Sequence, residues 1–291
     1  MHPYAALINH SCEFNSVVGF DGDELFVKAV RPIKNGEQVF ISYIDASNPY
    51  GVRRKELSER YYFDCQCSKC FKGRDTPEDK YLTITPDYSL LEANGQKASS
   101  LIDAALVSED PTDAIQKLKS AMQALQQISV WPITRQPYAT LRDDLIAALL
   151  SAGRFKTAFL QAVIRNTRID PVIYPYDSHP IRHIHAWTLA KLAIHLSQGM
   201  EEAEPDEETP LERFELNFSL IIWSVLNGLV SRESESCTVP SFKRMARLAF
   251  YDVHKEFVAK GLEPSGLEDE INREWKKVDG LVSAALKKEG S

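Results

Sequence analysis

The residues with the clearest chemistry are three cysteines that lie within six positions of one another. Cys65, Cys67 and Cys70 form a C-x-C-x₂-C pattern, and three thiolates this close in sequence can converge on one metal ion. Structural zinc takes four ligands, so a fourth must come from elsewhere, and the remaining cysteines are Cys12 and Cys237. The N-terminus contains no segment that resembles a secretory signal. The spacing therefore favours one structural Zn²⁺ site over disulfide bonds.

Two further segments carry groups that could hold or orient a ligand. Residues Asn9–Cys12 read NHSC, and residues Gly36–Tyr43 read GEQVFISY. Taken alone, the first is a polar turn, in which a lone histidine such as His10 is more often structural than catalytic. The second is a turn followed by a strand with Tyr43 near its end. Neither segment is specific by itself, and their meaning depends on what lies around them.

The elements that must position these groups are short β-strands followed by one helix. Alternating apolar residues predict strands at Val17–Phe20, Glu24–Val30 and Gln38–Tyr43, with turns between them. A helix rich in Arg, Lys and Glu is predicted from Pro49 to about Tyr62. The cysteine cluster follows directly, so this helix would carry the chain from the last strand to the metal site.

From about Tyr88 the strand patterns stop and apolar residues recur with the period of a helix. About eight helices are predicted, starting near Tyr88, Pro111, Arg135, Arg154, His179, Glu208, Pro240 and Leu267. Gly153 and Gly199 are predicted to end two of them, in an arrangement typical of tetratricopeptide-like helix pairs. These patterns predict an α+β fold: residues 1–46 rich in β-structure, a helix and cysteine cluster at 47–72, a linker at 73–87 and helices over 88–288.

The composition limits the classes of partner. The net charge is −7, so nucleic acid binding through bulk charge is not expected. No apolar run is long enough to suggest a membrane span, and we expect the nucleus and/or the cytoplasm. The acidic segment Glu201–Glu208 is predicted to be a solvated loop, with a specific basic partner as the less favoured interpretation.

Taken together and in this order, the three motifs resemble the C-terminal half of a SET domain. NHSC, GEQVFISY and the cysteine cluster are similar to the closing motifs of the SET-and-MYND lysine methyltransferases. Residues Ile173–Arg182, and the helix end at His195–Gly199, resemble the helical C-terminal domain of the same family. The resemblance reaches from about Met1 to at least Gly199. It implies a partial SET region with a post-SET zinc motif, followed by an all-α, tetratricopeptide-like domain.

The family transfers a methyl group from S-adenosylmethionine to a lysine amine, and this implies roles for particular residues. Asn9 and His10 would hold the cofactor, and Phe63 would pack on its adenine. Tyr43 would lie at the methyl-transfer site and Tyr61 would line the lysine channel. By themselves, Tyr61 and Phe63 would be read as ordinary aromatic packing. The resemblance also prefers Cys12 over Cys237 as the fourth zinc ligand.

The implied function is a protein-lysine N-methyltransferase acting on a histone tail or another protein, and so a chromatin regulator. Three features depart from the family: Phe14 replaces a usual proline, no MYND finger is present, and the N-terminal half of the SET domain with its Gly-x-Gly turn is not found. This chain is therefore expected to be a truncated or inactive form. The alternative is a non-catalytic, zinc-stapled helical-repeat module that binds a peptide or protein on its helices.

Overall fold

The fold is α+β, with a small β-rich part followed by a larger helical part. A computed structural model describes residues 3–80, 88–127, 131–199, 210–259, 261 and 266–289. The acidic segment at 201–208 and the predicted helix start at Glu208 lie outside this range. No helix among the described residues is long and apolar enough to cross a membrane.

The β-structure of the described residues consists of two small two-stranded sheets. Strands β1 (Asn9–His10) and β4 (Phe40–Ile41) pair in parallel, and β2 (Ser16–Asp21) pairs with β3 (Glu24–Ala29) in an antiparallel hairpin. The hairpin lies within one residue of the prediction at each end. A 3₁₀ turn precedes β1 at Ala5–Leu7.

The third predicted strand, Gln38–Tyr43, is shorter than expected because a side chain replaces its partner strand. The Asn15 amide donates to the Gln38 carbonyl at 2.9 Å, and its oxygen accepts from the Phe40 N–H at 2.9 Å. Only the two residues of β4 then pair with another strand.

Two helices lead to and through the cysteine cluster. Helix α1 (Tyr50–Tyr61) matches the predicted helix closely, and α2 (Ser68–Phe71) is a single turn that the composition did not indicate. Helix α1 ends because Tyr62 takes a left-handed conformation with a φ of 59°. That conformation reverses the chain and sends the cysteine segment back along the helix.

The helical part consists of consecutive helices that mostly pack against their sequence neighbours. The described helices are α3 (Tyr88–Leu106), α4 (Pro111–Gln126), α5 (Tyr138–Ser151), α6 (Phe155–Ile164), α7 (Asp170–Ile173), α8 (Pro180–Ser197), α9 (Phe218–Ser231), α10 (Pro240–Ala259) and α11 (Glu268–Glu289). A π-helical segment at Arg165–Ile169 joins α6 to α7, and a 3₁₀ turn lies at Pro210–Arg213. Gly153 and Gly199 follow α5 and α8 with positive φ values, as predicted.

The largest core belongs to the helices. Its fully buried side chains include Leu125, Tyr138, Leu149 and Phe159. The β-rich part has only a small apolar cluster of four buried residues, which are Cys12, Ile44, Leu57 and Cys70. Two of those four are cysteines, so little apolar area is available there to stabilise the fold.

The hairpin of the β-rich part docks on the start of α10. Lys28 Nζ donates to the Thr238 carbonyl at 2.7 Å, and an Asp21 carboxylate oxygen accepts from the Ser241 N–H at 2.8 Å. The Asp21 contact caps the first turn of a helix from a distant part of the chain, which satisfies a backbone donor that the helix cannot pair itself.

Candidate active site and metal centre

Four cysteine sulfurs meet in one place although they come from two distant parts of the chain. The Sγ atoms of Cys12, Cys65, Cys67 and Cys70 lie within 4.8 Å of one another, and those of Cys12 and Cys70 are 3.5 Å apart. Cys237 lies elsewhere, and its thiol donates to a backbone carbonyl of β3 at 3.2 Å. Cys12, and not Cys237, is the fourth thiol of this cluster.

The spacing of the sulfurs fits a tetrahedral ion. Zinc–sulfur bonds of about 2.3 Å give sulfur–sulfur edges of about 3.8 Å in a tetrahedron. The Cys12–Cys70 separation of 3.5 Å and the upper limit of 4.8 Å lie on either side of that edge. All four cysteines are free thiols, and four soft sulfur donors suit zinc better than an oxygen-seeking cation. The cluster can therefore hold a metal ion in a closed site of the structural kind.

Proton sharing within the cluster explains why a cation suits it. A hydrogen bond from Cys12 lowers the pKa of Cys67 to about 3, and the same contact, together with burial, raises the pKa of the Cys12 thiol. Burial raises the pKa of Cys65 to about 11. The protein alone thus favours a Cys67 thiolate beside the protonated thiols of Cys12 and Cys65. A divalent cation would favour loss of those protons as it binds.

The elements place the four thiols by simple local rules. Cys12 follows β1, while Cys65 and Cys67 lie on the segment that returns from Tyr62. Cys67 also caps α2, because its Sγ accepts from the Cys70 N–H at 3.4 Å. One sulfur therefore serves both the cluster and the short helix that carries the last cysteine.

A cluster of four rings lies beside the thiols. The ring centroids of Tyr43 and Tyr61 are 5.0 Å apart, and that of Tyr43 is 6.4 Å from Phe63. The His10 ring is 5.3 Å from Tyr43 and 5.9 Å from Phe63. The structure thus brings together four residues that the sequence assigned to the cofactor and catalytic groups.

Both tyrosine hydroxyls donate to backbone carbonyls. Tyr61 donates to the Tyr43 carbonyl at 3.1 Å, and Tyr43 donates to the Ile8 carbonyl at 2.5 Å. Each phenol proton is therefore engaged, which leaves the phenol lone pairs as acceptors. This arrangement fixes both rings and leaves each phenol oxygen able to accept a weak hydrogen bond.

Asn9 is separated from this group. Neighbouring residues of a strand face opposite sides, so His10 is buried while Asn9 is exposed on the other face. Within the described residues, the Asn9 side chain makes no hydrogen bond. The structure therefore divides the predicted Asn9–His10 pair and brings only His10 to the aromatic rings.

A cleft of about 1490 Å³ opens between the β-rich and helical parts. Its lining includes His10, Phe63, Cys12, Cys65 and Cys67, and from the helical part Arg135, Tyr174, Tyr176 and His179. Neither Tyr43 nor Tyr61 is among the described residues that line it. The cleft therefore reaches the thiols and part of the aromatic cluster, and its far wall belongs to the helices.

Residues 73–80, which the composition assigned to a linker, hold the site in place. Both carboxylate oxygens of Asp79 accept from the Tyr50 N–H, at 3.1 and 2.9 Å, and Thr76 donates to the same carboxylate.

Lys69 donates to the Ala46 carbonyl and to a Glu78 carboxylate oxygen, each at 2.8 Å. This segment ties the N-terminus of α1, the loop after β4 and the thiol cluster together. The sequence offered only one signal for this role. Asp79 is of a residue type that commonly caps helices, although the helix that it caps lies elsewhere in the chain.

Gln136 joins the two parts across the cleft. Its amide nitrogen is 3.0 Å from an Asp45 carboxylate oxygen and 3.0 Å from the Ser47 hydroxyl. Gln136 is buried, and its amide oxygen accepts from Thr140 at the start of α5. No local pattern in the sequence identifies this contact, because Gln136 lies about 90 residues from each of its two partners.

Comparison with known families agrees with this geometry. Residues 1–44 match the SET domain family, which covers the NHSC and GEQVFISY motifs.

Curated relatives extend the similarity into the helical part. The chain is 28% identical over 205 residues to the histone-lysine N-methyltransferase SMYD3 of Mus musculus, covering 69% of this chain and 44% of that protein. It is 42% identical over 160 residues to the SET domain and MYND-type zinc finger protein 6 of Schizosaccharomyces pombe, covering 55% and 29%. Against the human N-lysine methyltransferase SMYD2, identity is 28% over 142 residues, covering 49% and 31%. The chain is thus similar to SMYD-type SET proteins, and it matches less than half of the length of each of these relatives.

Proposed function

We propose that this protein is an S-adenosylmethionine-dependent protein-lysine N-methyltransferase of the SET type. The observation that carries the proposal is the pair of tyrosine rings, Tyr43 and Tyr61, held 5.0 Å apart beside the four-thiol cluster. Their hydroxyl protons are both engaged by backbone carbonyls. Similarity to relatives named as lysine methyltransferases supports the same reaction, although the matched segment is less than half of each of them.

The aromatic rings would prepare the lysine for reaction. A lysine amine must be neutral to act as a nucleophile, and a narrow apolar channel disfavours the ammonium form. Tyr43, Tyr61 and Phe63 would form the walls of such a channel. The phenol oxygens of the two tyrosines, and the neighbouring backbone carbonyls, would orient a methyl group through weak C–H···O contacts. Alignment of the reacting atoms is the main contribution expected of the protein.

His10, Phe63 and Asn9 are the proposed cofactor-binding residues. S-adenosylmethionine, when bound, supplies a methyl group on a positively charged sulfur. His10 and Phe63 line the cleft next to the tyrosines, and a half-buried Phe63 ring offers a face on which an adenine can stack. The exposed Asn9 amide is free to donate and accept from the opposite face of the strand.

The four thiols are proposed to bind one structural zinc ion. Cys12 lies two residues after His10, and Cys65 lies two residues after Phe63. A metal shared by these cysteines would hold the two cofactor-binding residues at a fixed separation. The proposed substrate is a lysine in a histone tail or another protein, encountered in the nucleus or the cytoplasm.

Methyl transfer and cofactor binding by the zinc-loaded chain test the proposal. Calorimetric titration with S-adenosylmethionine should give a binding isotherm, and a labelled methyl donor should transfer its label to a protein lysine. Tyr61→Phe should lower the transfer rate on the order of 100-fold, because the ring loses its anchor on the Tyr43 carbonyl. Tyr62→Phe is the matched control, since Tyr62 is 87% exposed and its variant should keep the wild-type rate.

Absence of both cofactor binding and transfer in zinc-loaded protein would favour the second candidate function. That candidate is a non-catalytic helical module with a zinc-stapled cap that binds a peptide or protein partner. The exposure of Leu7 and Phe20 in the β-rich part, at 75% and 63%, supports it, because exposed apolar side chains can mark a surface that binds another protein. Partner capture by residues 88–288, with no methyl transfer, is its expected result.

A further inference from the structure

His10 bridges the thiol cluster and the strand that carries Tyr43. Its Nε2 lies 3.4 Å from the Cys12 Sγ atom, and its Nδ1 lies 3.0 Å from the Tyr43 backbone nitrogen. The two contacts use opposite sides of one imidazole. They connect a sulfur of the cluster to the main chain of a residue 33 positions further along the chain.

The direction of both hydrogen bonds follows from the chemistry of the partners. A backbone N–H can only donate, so His10 Nδ1 must accept from Tyr43 and carries no proton. The ring proton is then on Nε2, which faces the Cys12 sulfur. A thiolate sulfur is an acceptor, so the bridge runs from the Cys12 sulfur through the imidazole to the Tyr43 amide. This is the arrangement by which outer groups commonly orient and tune metal ligands.

The neighbouring side chains restrict the His10 imidazole. His10 is 8% exposed, and its ring packs against the rings of Tyr43 and Phe63. Strand β4 ends at Ile41, so no strand partner is available for the Tyr43 N–H two residues later. The His10 side chain therefore extends the β1–β4 pairing beyond its last backbone contact.

We propose that His10 is a positioning residue that couples occupation of the thiol cluster by a metal to the placement of Tyr43. When the cluster holds zinc, the Cys12 sulfur is fixed and orients the imidazole, which in turn holds the Tyr43 amide and its ring. This inference rests on the proposed function for its consequence, since Tyr43 is the proposed methyl-transfer residue. The coupling itself is a property of the folded protein and can be measured without any methyl transfer.

Two substitutions separate the two hydrogen bonds. In His10→Asn the amide oxygen takes the place of Nδ1, so the bond from Tyr43 is retained while Cys12 is out of reach. In His10→Gln the longer side chain places an amide near the position of Nε2, so the bond to Cys12 is retained and that from Tyr43 is lost. His10→Ala removes both. His254→Gln, which changes a half-buried histidine on α10, is the matched control.

Zinc release and amide exchange report on the two ends of the bridge in the full chain. Zinc transfer to a chromogenic chelator should be about 10–100-fold faster in His10→Asn and His10→Ala, and close to wild type in His10→Gln and His254→Gln. In zinc-loaded protein, hydrogen exchange at the Tyr43 amide should be faster in His10→Gln and His10→Ala, and close to wild type in His10→Asn. The Val17 and Lys28 amides, which form a hydrogen-bonded pair of the hairpin, serve as an internal reference for folding.

A purely structural role predicts a different pattern. General loosening would speed zinc release and Tyr43 exchange together in every variant, along with the hairpin amides, and that result would overturn the inference. Equal zinc release in wild type and all three His10 variants would also overturn it. If wild-type protein fails to bind S-adenosylmethionine while the split between His10→Asn and His10→Gln is observed, the proposed function fails and the coupling stands.

Discussion

The β-rich part at residues 3–80 and the helical part that begins at Tyr88 are stabilised in different ways. The helices share one large apolar core with many fully buried side chains, including Leu149 and Phe159. The β-rich part has four buried apolar residues in its own cluster, and two of these are the cysteines Cys12 and Cys70. Its other described contacts include hydrogen bonds, ion pairs, a group of packed aromatic rings and the meeting of four thiols.

This difference indicates where each part obtains its free energy of folding. Burial of apolar area supplies roughly 25 cal/mol for each Å², which favours the helices. A short segment with few buried apolar residues needs another source, and structural zinc binding can provide it because the site exists only in the folded chain. The proposed reactive groups lie in the part that depends on polar contacts, and the helices supply the rigid wall across the cleft.

Loss of the metal is expected to have the largest effect. Cys70→Ser removes one of four sulfur ligands, so bound zinc should fall from one ion per chain towards none, with a loss in metal binding free energy that is a large part of the roughly 10–16 kcal/mol typical of structural zinc. Elemental analysis and amide exchange measure this, with exchange increasing in α1 and the hairpin while the helices stay protected. Cys237→Ser is the control and should retain zinc. Equal zinc content in Cys70→Ser and Cys237→Ser would contradict the proposal that zinc binding stabilises the β-rich part.

A core substitution in the helices should have a smaller effect, and it should destabilise the helical part without affecting zinc binding by the β-rich part. Phe159 is fully buried and packs against Phe218 with centroids 5.3 Å apart. Phe159→Ala should lower the free energy of unfolding of the helical part by about 3–5 kcal/mol through lost burial and a cavity. Urea denaturation followed by far-ultraviolet circular dichroism measures this. Leu248→Ala, at a residue 61% exposed, should change it by no more than about 0.5 kcal/mol, and zinc content should stay constant in both.

The boundary between the parts should respond to pH. His179 is buried between Phe14 of the β-rich part and Tyr174 of the helical part, and burial lowers its pKa to about 4. The unfolded histidine has the ordinary pKa of about 6.5 and so binds its proton more readily. Stability is therefore complete above about pH 6.5 and falls as the pH drops towards 4, by about 3 kcal/mol for this residue.

His179→Asn tests that contribution. His179 caps α8 because its Nδ1 accepts from the Ile181 N–H at 3.3 Å, and asparagine can make the same cap without titrating. The loss of unfolding free energy between pH 7 and pH 4 should be about 3 kcal/mol smaller in the variant. Urea titrations at the two pH values measure it. Parallel pH dependence in the two proteins would contradict the assignment.

The smallest expected effect concerns the segment that braces α1. Asp79→Ala removes the carboxylate that accepts from the Tyr50 N–H at the start of that helix. The loss of a buried cap and of a charge favoured by the helix dipole should cost about 1–2 kcal/mol. Amide exchange in the first turn of α1 in zinc-loaded protein measures the change. Asp75→Ala is the control, because Asp75 is exposed and its variant should match wild type.

Most of the helices could be predicted because their signals are local. Seven of the eight predicted helix starts from Tyr88 onward lie within three residues of a described helix. The eighth predicted start, Glu208, lies outside the described residues. The described chain resumes with a 3₁₀ turn at Pro210–Arg213, and α9 starts at Phe218 after an Asn217 cap.

The site was only partly predictable because several of its contacts are long-range. The C-x-C-x₂-C spacing identified three thiols, while Cys12 depended on a family resemblance and on a chain reversal at Tyr62 that brings distant residues together. Asn15 and Asp79 were missed because their partners are other parts of the backbone. In the helical core, away from the site, the buried Arg142 was also missed, because a charged residue at a helix position is normally assigned to the surface.

Local spacing by itself determined the helices, the hairpin and the identity of three clustered cysteines. The family resemblance preferred Cys12 as the fourth thiol, and the tertiary structure brings it to the cluster. The tertiary structure alone decided that His10 and Asn9 face opposite sides and that Asp79 caps a helix outside its own segment. The physical reason is range: helix periodicity, turn chemistry and ligand spacing act over a few residues. Side-chain hydrogen bonds and burial depend on which distant segments the folded chain brings into contact.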